Sequence, residues 1–234
     1  MEKLDTLITD TLQIKDKISE ETTEKTLSII ELITSGGIGG NLVMGTLGIL
    51  SIFAFYILIE RYSAIKKASN EDESFLKSIQ NFVEAKDIAA AKTLCKNTDS
   101  PISRMIEKGV NRIDKPMTDI SAAIENQGKL EVFKMENNLA NLATISGAAP
   151  MIGFLGTVIG MIVAFHEMAS AGGNIDVAML SQGIYTAMVT TVAGLVVGII
   201  AFIAYNYLVS KVDKVVFMLE ARTTEFLDLL HHNE

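Results

Sequence analysis

The stretch NNLANLATISGAAPMIGFLGTVIGMIVAFH, residues 137–166, contains no Asp, Glu, Lys or Arg. A hydrocarbon core about 30 Å thick is crossed by roughly 20 apolar residues of α-helix, and this stretch exceeds that. Two more charge-free stretches, Leu32–Ile59 and Val177–Ser210, exceed it too. The 234-residue chain therefore reads as an all-α membrane protein with three transmembrane helices in the lipid bilayer. No carboxylate or lysine sits deep inside any span. Ion movement through a membrane normally uses an intramembrane titratable group. If this chain serves ion movement, a partner is expected to supply that group.

The segments follow from charge and breakers. Residues 1–35 place Leu4, Leu7, Ile8, Leu12, Ile14 and Ile18 at loosely helical spacing, the pattern of an amphipathic helix lying on a membrane surface. The glycines at 36, 37, 39 and 40 are read as a break before transmembrane helix 1 at 41–60. Its second half is uniformly apolar and reads as lipid-facing. A polar insert follows at 61–136, then transmembrane helix 2 at 137–166, a short loop at 167–176, transmembrane helix 3 at 177–208 and a tail helix at 209–234. The first apolar run is preceded by Asp and Glu, not by a basic region, so it does not read as a cleaved leader.

Basic residues orient the spans. Residues 61–136 hold 13 of the 20 Lys and Arg, the 167–176 loop has none, and the tail opens with Lys211 and Lys214. This places the insert and tail on the cytoplasmic side, with the N-terminal segment and the loop outside. The N-terminal segment is acidic, with 4 Lys against 8 Asp and Glu before Leu32.

The insert reads as short helices. Asn70 followed by three acids is a helix start, Asp87 caps a second helix, Pro101 opens a third and Pro116 marks the next boundary. No breaker follows until Pro150, so Met117–Phe165 reads as one helix roughly 70 Å long. Spans two and three are thus expected to extend into a cytoplasmic helical bundle.

Several function classes drop out. A net charge of −8 offers no basic face for nucleic acid. Cys95 is the single cysteine, cannot form an internal disulfide, and reads as a small buried hydrophobe. His166 and Glu167 read as an interfacial pair, not a metal or proton-entry site. His231 and His232 lack the further ligands a zinc site wants. No phosphate-binding loop, nucleophile elbow or HExxH helix occurs, so no enzyme and no cofactor is expected.

The chemistry lies in spans two and three. Ala149, Gly153, Gly156, Gly160 and Ala164 share one face of span two, beside Pro150 and Thr157. Ala187, Thr191, Gly194, Gly198 and Ala201 share a face of span three, with Thr186 and Thr190 adjacent. Small residues at this spacing let membrane helices approach closely. Packing of span two on span three within one chain and packing between subunits both satisfy the glycines. A lone membrane Thr bonds its own i−4 carbonyl, but Thr157, Thr186, Thr190 and Thr191 beside glycine stripes read as a polar lumen.

The run AAPMIGFLGTVIGMIVAF (148–165), followed by QGIYTAMVTTVAGLVVGIIAFIAYN (182–206), resembles the signature of the MotA/TolQ/ExbB proton-channel family, and its ExbB members most. IERYSAIKKA (59–68) and DIAAAKTLC (87–95) with Pro101 behind it extend the resemblance; residues 1–35 lie outside it. The resemblance implies a homopentamer in the bacterial inner membrane. A dimer of an ExbD-like single-span partner, bearing the proton-carrying Asp, would sit in its pore. Protons would be the coupling ion, and a TonB-like energy transducer for outer-membrane import the output. It also implies that Thr157 and Thr191 face the pore, while Pro150, Gly153, Gly156, Gly160, Gly194 and Gly198 pack the helices around it. Better-known members have a Glu where Thr186 stands, which removes that group from any relay here. A TolQ-like stator for envelope integrity is the alternative within the family. A non-conducting scaffold is the alternative outside it.

Overall fold

The computed structural model describes residues 37–69, 73–170 and 177–232. The 1–35 helix, the cap at Asn70 and most of the 167–176 loop fall outside them. Seven helices run in order among the described residues: α1 (Gly37–Ser69), α2 (Glu73–Glu84), α3 (Ile88–Asn97), α4 (Pro101–Val110), α5 (Met117–Glu136), α6 (Leu139–Ser170) and α7 (Val177–His232). Three helical stretches, Gly39–Ser69, Met117–Ser170 and Leu180–His231, hold windows long and apolar enough to cross a membrane.

One helix joins the two halves of the molecule. α7 is continuous for 56 residues, about 84 Å at 1.5 Å per residue, so span three and the tail that follows it form one helix as far as His232. Ala201, Ala204, Leu208, Val212, Val215, Leu219, Thr223, Phe226 and Leu230 are buried along it. Their spacing of three and four residues keeps one stripe facing inward from the charge-free stretch into the polar end. No breaker interrupts Ser210–Lys211, so the change of solvent leaves the backbone unchanged.

The other long rod is interrupted. α5 stops at Glu136 and α6 starts at Leu139, with Asn138 at φ 65°. Asparagine is among the few residues that enter this left-handed region readily. The Asn138 carbonyl then accepts from Leu142 N at 3.2 Å, opening α6. The expected single helix over 117–165 is therefore two helices. α6 also runs four residues past the predicted end of span two, to Ser170.

The described glycines before span one do not break the helix. Gly37, Gly39 and Gly40 belong to α1. A Cβ on Gly39 would sit 2.8 Å from Ile159 of α6, so the missing side chain permits close approach of these helices. α1 buries Val43, Leu47, Ala54, Ile57 and Ile65 and exposes Ile49, Ile52 and Phe55. One face of α1 thus packs on α6 and α7 and the opposite face is left for lipid.

The polar end is a bundle of α2–α5 around the distal part of α7. Asp87 accepts from Ala90 N at 3.0 Å and caps α3. Ser100 and Ser103 form a capping box on α4, with Pro101 in its first turn. Pro116 precedes α5. The core holds Phe75, Ile79, Val83, Ile102, Ile106, Ile124 and Phe226. Cys95 is buried beside them, and burial, aided by Glu107, pushes its thiol up to about 12.

Candidate ion pathway between α6 and α7

Glycine decides how near α6 and α7 come. A Cβ on Gly153 would lie 2.7 Å from the Thr190 carbonyl, and one on Gly194 would lie 2.5 Å from the Ala149 carbonyl. These obstacles are backbone atoms, which cannot rotate aside. Gly156 faces the Thr190 side chain, and a Cβ on Gly160 would meet Ala187 Cβ at 2.9 Å. Gly198 receives the ring of Pro150, whose Cγ would be 2.6 Å from an added Cβ. Pro150 lacks an N–H for the Ser146 carbonyl four residues back, and that carbonyl also faces Gly198. All six predicted packing residues therefore lie in the contact between spans two and three of one chain. Gly183 was not singled out by the sequence reading. A Cβ there would sit 2.7 Å from Ala164 Cβ, and the signal was present as a further small residue four positions before Ala187.

Because the backbones are this close, three hydroxyls converge on one carbonyl. The Gly153 oxygen lies 3.1 Å from Thr191 Oγ1, 3.2 Å from Thr190 Oγ1 and 3.4 Å from Thr157 Oγ1. Thr157 Oγ1 and Thr191 Oγ1 are 2.5 Å apart. Each hydroxyl has one proton and two lone pairs. A consistent arrangement has Thr157 donate to Thr191 and Thr191 donate to Gly153. Thr157 then keeps acceptor capacity for an outside donor. Thr190 has its own partner, the Ala187 carbonyl at 2.7 Å.

The four threonines separate into two pairs. Thr157 and Thr191 are half-buried. Thr186 and Thr190 are buried in the interior of the three-helix layer, at 8% and 2% exposure. Thr186 Oγ1 donates to the Gln182 carbonyl at 2.9 Å, its i−4 partner, and a Cβ on Gly40 of α1 would lie 3.7 Å from the Thr186 methyl. Thr186 and Thr190 thus face the chain's own helices, not a surface open to another molecule. His166 and Glu167 are exposed near the end of α6.

At the polar end a second constellation binds span one to the bundle. Glu131 of α5 is 2% exposed. Its carboxylate accepts from Arg104 Nε at 3.0 Å and Nη2 at 2.7 Å, from Lys134 Nζ at 2.8 Å and from Gln127 Nε2 at 2.7 Å. Burial pushes this carboxyl up, and the bonds from Arg104, Lys134 and Gln127 outweigh it, so it is held below the usual carboxylate range. Arg104 also donates to Asp99 at 2.7 Å, and Asp99 accepts from Lys67 of α1 at 2.7 Å. Arg61, paired with Glu60, donates to the Lys134 carbonyl at 2.8 Å.

Residues 97–221 match the MotA/TolQ/ExbB proton channel family. The chain belongs to this family. Relatives include a putative biopolymer transport protein ExbB homolog from Methanothermobacter thermautotrophicus, 27% identical over 80% of this chain and 64% of that protein. The Tol-Pal system protein TolQ of Pseudomonas aeruginosa is 25% identical over 87% of this chain and 93% of its own length. The biopolymer transport protein ExbB of Helicobacter pylori is 40% identical over 34% of this chain and 54% of its own. The chain thus spans less than two thirds of the Methanothermobacter relative's length and nearly all of the Pseudomonas one's. The match covers α4 to α6 and α7 as far as residue 221, with the threonine pair inside it. Three apolar helices and these relatives together make this a multi-pass membrane protein of the ExbB and TolQ kind, most like ExbB.

Proposed function

We propose that this chain is an ExbB-like stator subunit of a proton-driven motor in the bacterial inner membrane. In this reading five copies surround a dimer of an ExbD-like single-span partner, and the assembly drives a TonB-like protein. The insert and tail lie in the cytoplasm and the N-terminal segment on the periplasmic side. The chain works without a cofactor and without covalent chemistry of its own.

One observation carries the reading. Hydroxyls converge at Thr157 and Thr191 within the charge-free stretches, and no Asp, Glu, Lys or Arg accompanies them there. Such a site cannot exchange protons by itself. It can receive a hydrogen bond from a protonated carboxyl through the spare lone pairs of Thr157. It is also poor at holding the ionised form, since its protons are already donated inward. A partner's intramembrane Asp would be neutral while it faces the pair and would ionise only where water or a cation reaches it. That difference gives a rotating or sliding carboxyl two distinguishable positions. Thr186 and Thr190 set the spacing of α6, α7 and α1 in this mechanism and do not touch the proton carrier.

A TolQ-like role in envelope integrity is the second reading, favoured by the near full-length alignment to the pseudomonad TolQ. Native mass spectrometry of the complex, extracted from its own host in mild detergent, tests the assembly. Five copies with two of a single-span protein bearing an intramembrane Asp are expected. Any other number of copies contradicts the assembly proposed. The co-purifying transducer distinguishes the two roles.

A further inference from the structure

A cavity of about 320 Å³ opens between α1 and α7 just beyond their charge-free stretches. Tyr62, Ile65, Lys66 and Ser69 line it from α1, and Leu208, Lys211 and Lys214 from α7. Its three ammonium groups are compatible with one small anion. Among the described residues no carboxylate pairs with Lys66, Lys211 or Lys214, whereas the adjacent Lys67 is bonded to Asp99. Asp213 does not line the cavity.

The walls point to a lipid. Tyr62 and Tyr207 stack at 6.3 Å between ring centroids, and Lys211 Nζ lies 5.5 Å from the Tyr207 ring. On α1, Ile59, Tyr62, Lys66 and Ser69 follow each other at helical spacing; on α7, Ile203, Tyr207, Lys211 and Lys214 do the same. Both helices therefore grade from apolar through aromatic to basic along one face, and Ile59 and Ile203 are exposed. Lys66 is about 10 Å along the helix from Ile59, far enough to reach past the hydrocarbon boundary when Ile59 lies within it. Tyrosine rings favour this level of a bilayer, and basic pockets between spans at this level bind anionic headgroups.

We propose that this pocket holds the phosphate of an anionic phospholipid, its acyl chains following the Ile59 and Ile203 faces. The site bridges span one and span three, so a bound lipid would clip the outer helix to the long helix that carries Thr191. The inference needs only a membrane-spanning chain and stands apart from the motor reading.

The test is native mass spectrometry of the full-length protein in mild detergent, titrated with phosphatidylglycerol or phosphatidylcholine. Phosphatidylglycerol is expected to stay bound and phosphatidylcholine not. Substituting Lys66→Ala, Lys211→Ala or Lys214→Ala should weaken retention roughly fivefold each, and all three together on the order of a hundredfold. The triple arginine variant should retain the lipid, which separates lost charge from damaged packing. Lys96→Ala on α3, which does not line the cavity, should change nothing. Equal retention of both lipids, or unchanged phosphatidylglycerol binding in the triple alanine variant, would overturn the proposal. Displacement of the lipid by millimolar inorganic phosphate would also overturn it, by showing a site for soluble phosphate.

Discussion

The α6–α7 contact in the membrane and the α4–α5–α7 contact in the polar bundle are both tight, but for opposite reasons. In the bundle, Phe226, Ile106 and Ile124 leave water, and about 25 cal/mol per Å² of apolar surface favours that burial. In the membrane, lipid is as apolar as the protein and offers no such gain. What favours contact there is shape: Gly153 and Gly194 let backbones touch, and threonine hydroxyls find carbonyls across the gap. The same helix takes part in both, so α7 is held by what it adds at Phe226 and by what it lacks at Gly194. Large side chains should therefore be destructive where small ones should be destructive at the other end.

The largest effect is expected from Gly194→Val. Its Cβ would have to pass the Ala149 carbonyl and Gly153, so α6 and α7 must separate along the threonine pair. Loss of folded, correctly assembled protein is the expected result by size-exclusion profile and thermal stability. The mirror experiment is Phe226→Ala in the bundle, a cavity at a residue 1% exposed. A loss of about 3–5 kcal/mol is expected, read by denaturation in detergent, with the α6–α7 contact intact by cross-linking.

Glu131→Gln sharpens the comparison further, because it touches neither shape nor apolar burial. It removes a charge that Arg104 and Lys134 contact. About 2–3 kcal/mol is expected, moderated by the water that reaches Arg104. The sign of the pH dependence follows from the direction of the shift. Glu131 is held below its ordinary range near 4.3, so its contribution is present at neutral pH and is lost as pH falls through its folded value. Wild-type stability should therefore drop more steeply than that of the Gln variant below about pH 4.

At the small end stands Gly48→Ala. Nothing lies within 4 Å of a Cβ there, and a helix-interior alanine is preferred by up to about 1 kcal/mol. Unchanged or slightly raised stability is expected. A collapse like that of Gly194→Val would mean that glycine content, and not the α6–α7 geometry, governs the membrane half.

How far the sequence reached depends on the same physics. The three spans were legible because charge is excluded from lipid over lengths that little else explains. The cap at Asp87 and the helix starts at Pro101 and Pro116 were legible because their signals are local. The interruption at Asn137–Asn138 was missed because asparagine is a weaker breaker signal than Gly or Pro. Gly39 and Gly40 were misread as a break, since a glycine that permits helix contact looks the same in sequence as one that ends a helix. At the candidate site the threonines and small faces could be named. Their separation into a half-buried pair and a buried pair could not, because it depends on the rotation of α7 against α6 and α1. Arg104 and Glu131 stand 27 positions apart in the chain, and nothing local marks them as partners.

Proton flux across proteoliposomes holding this chain with its carboxyl-bearing partner tests the account most directly. Wild type is compared with Thr157→Val and Thr191→Val, which keep the shape and remove the hydroxyls. The account predicts that flux falls at least tenfold in both while assembly and thermal stability stay within about 1 kcal/mol of wild type. Undiminished flux in both variants would contradict it and remove the threonine pair from the ion pathway.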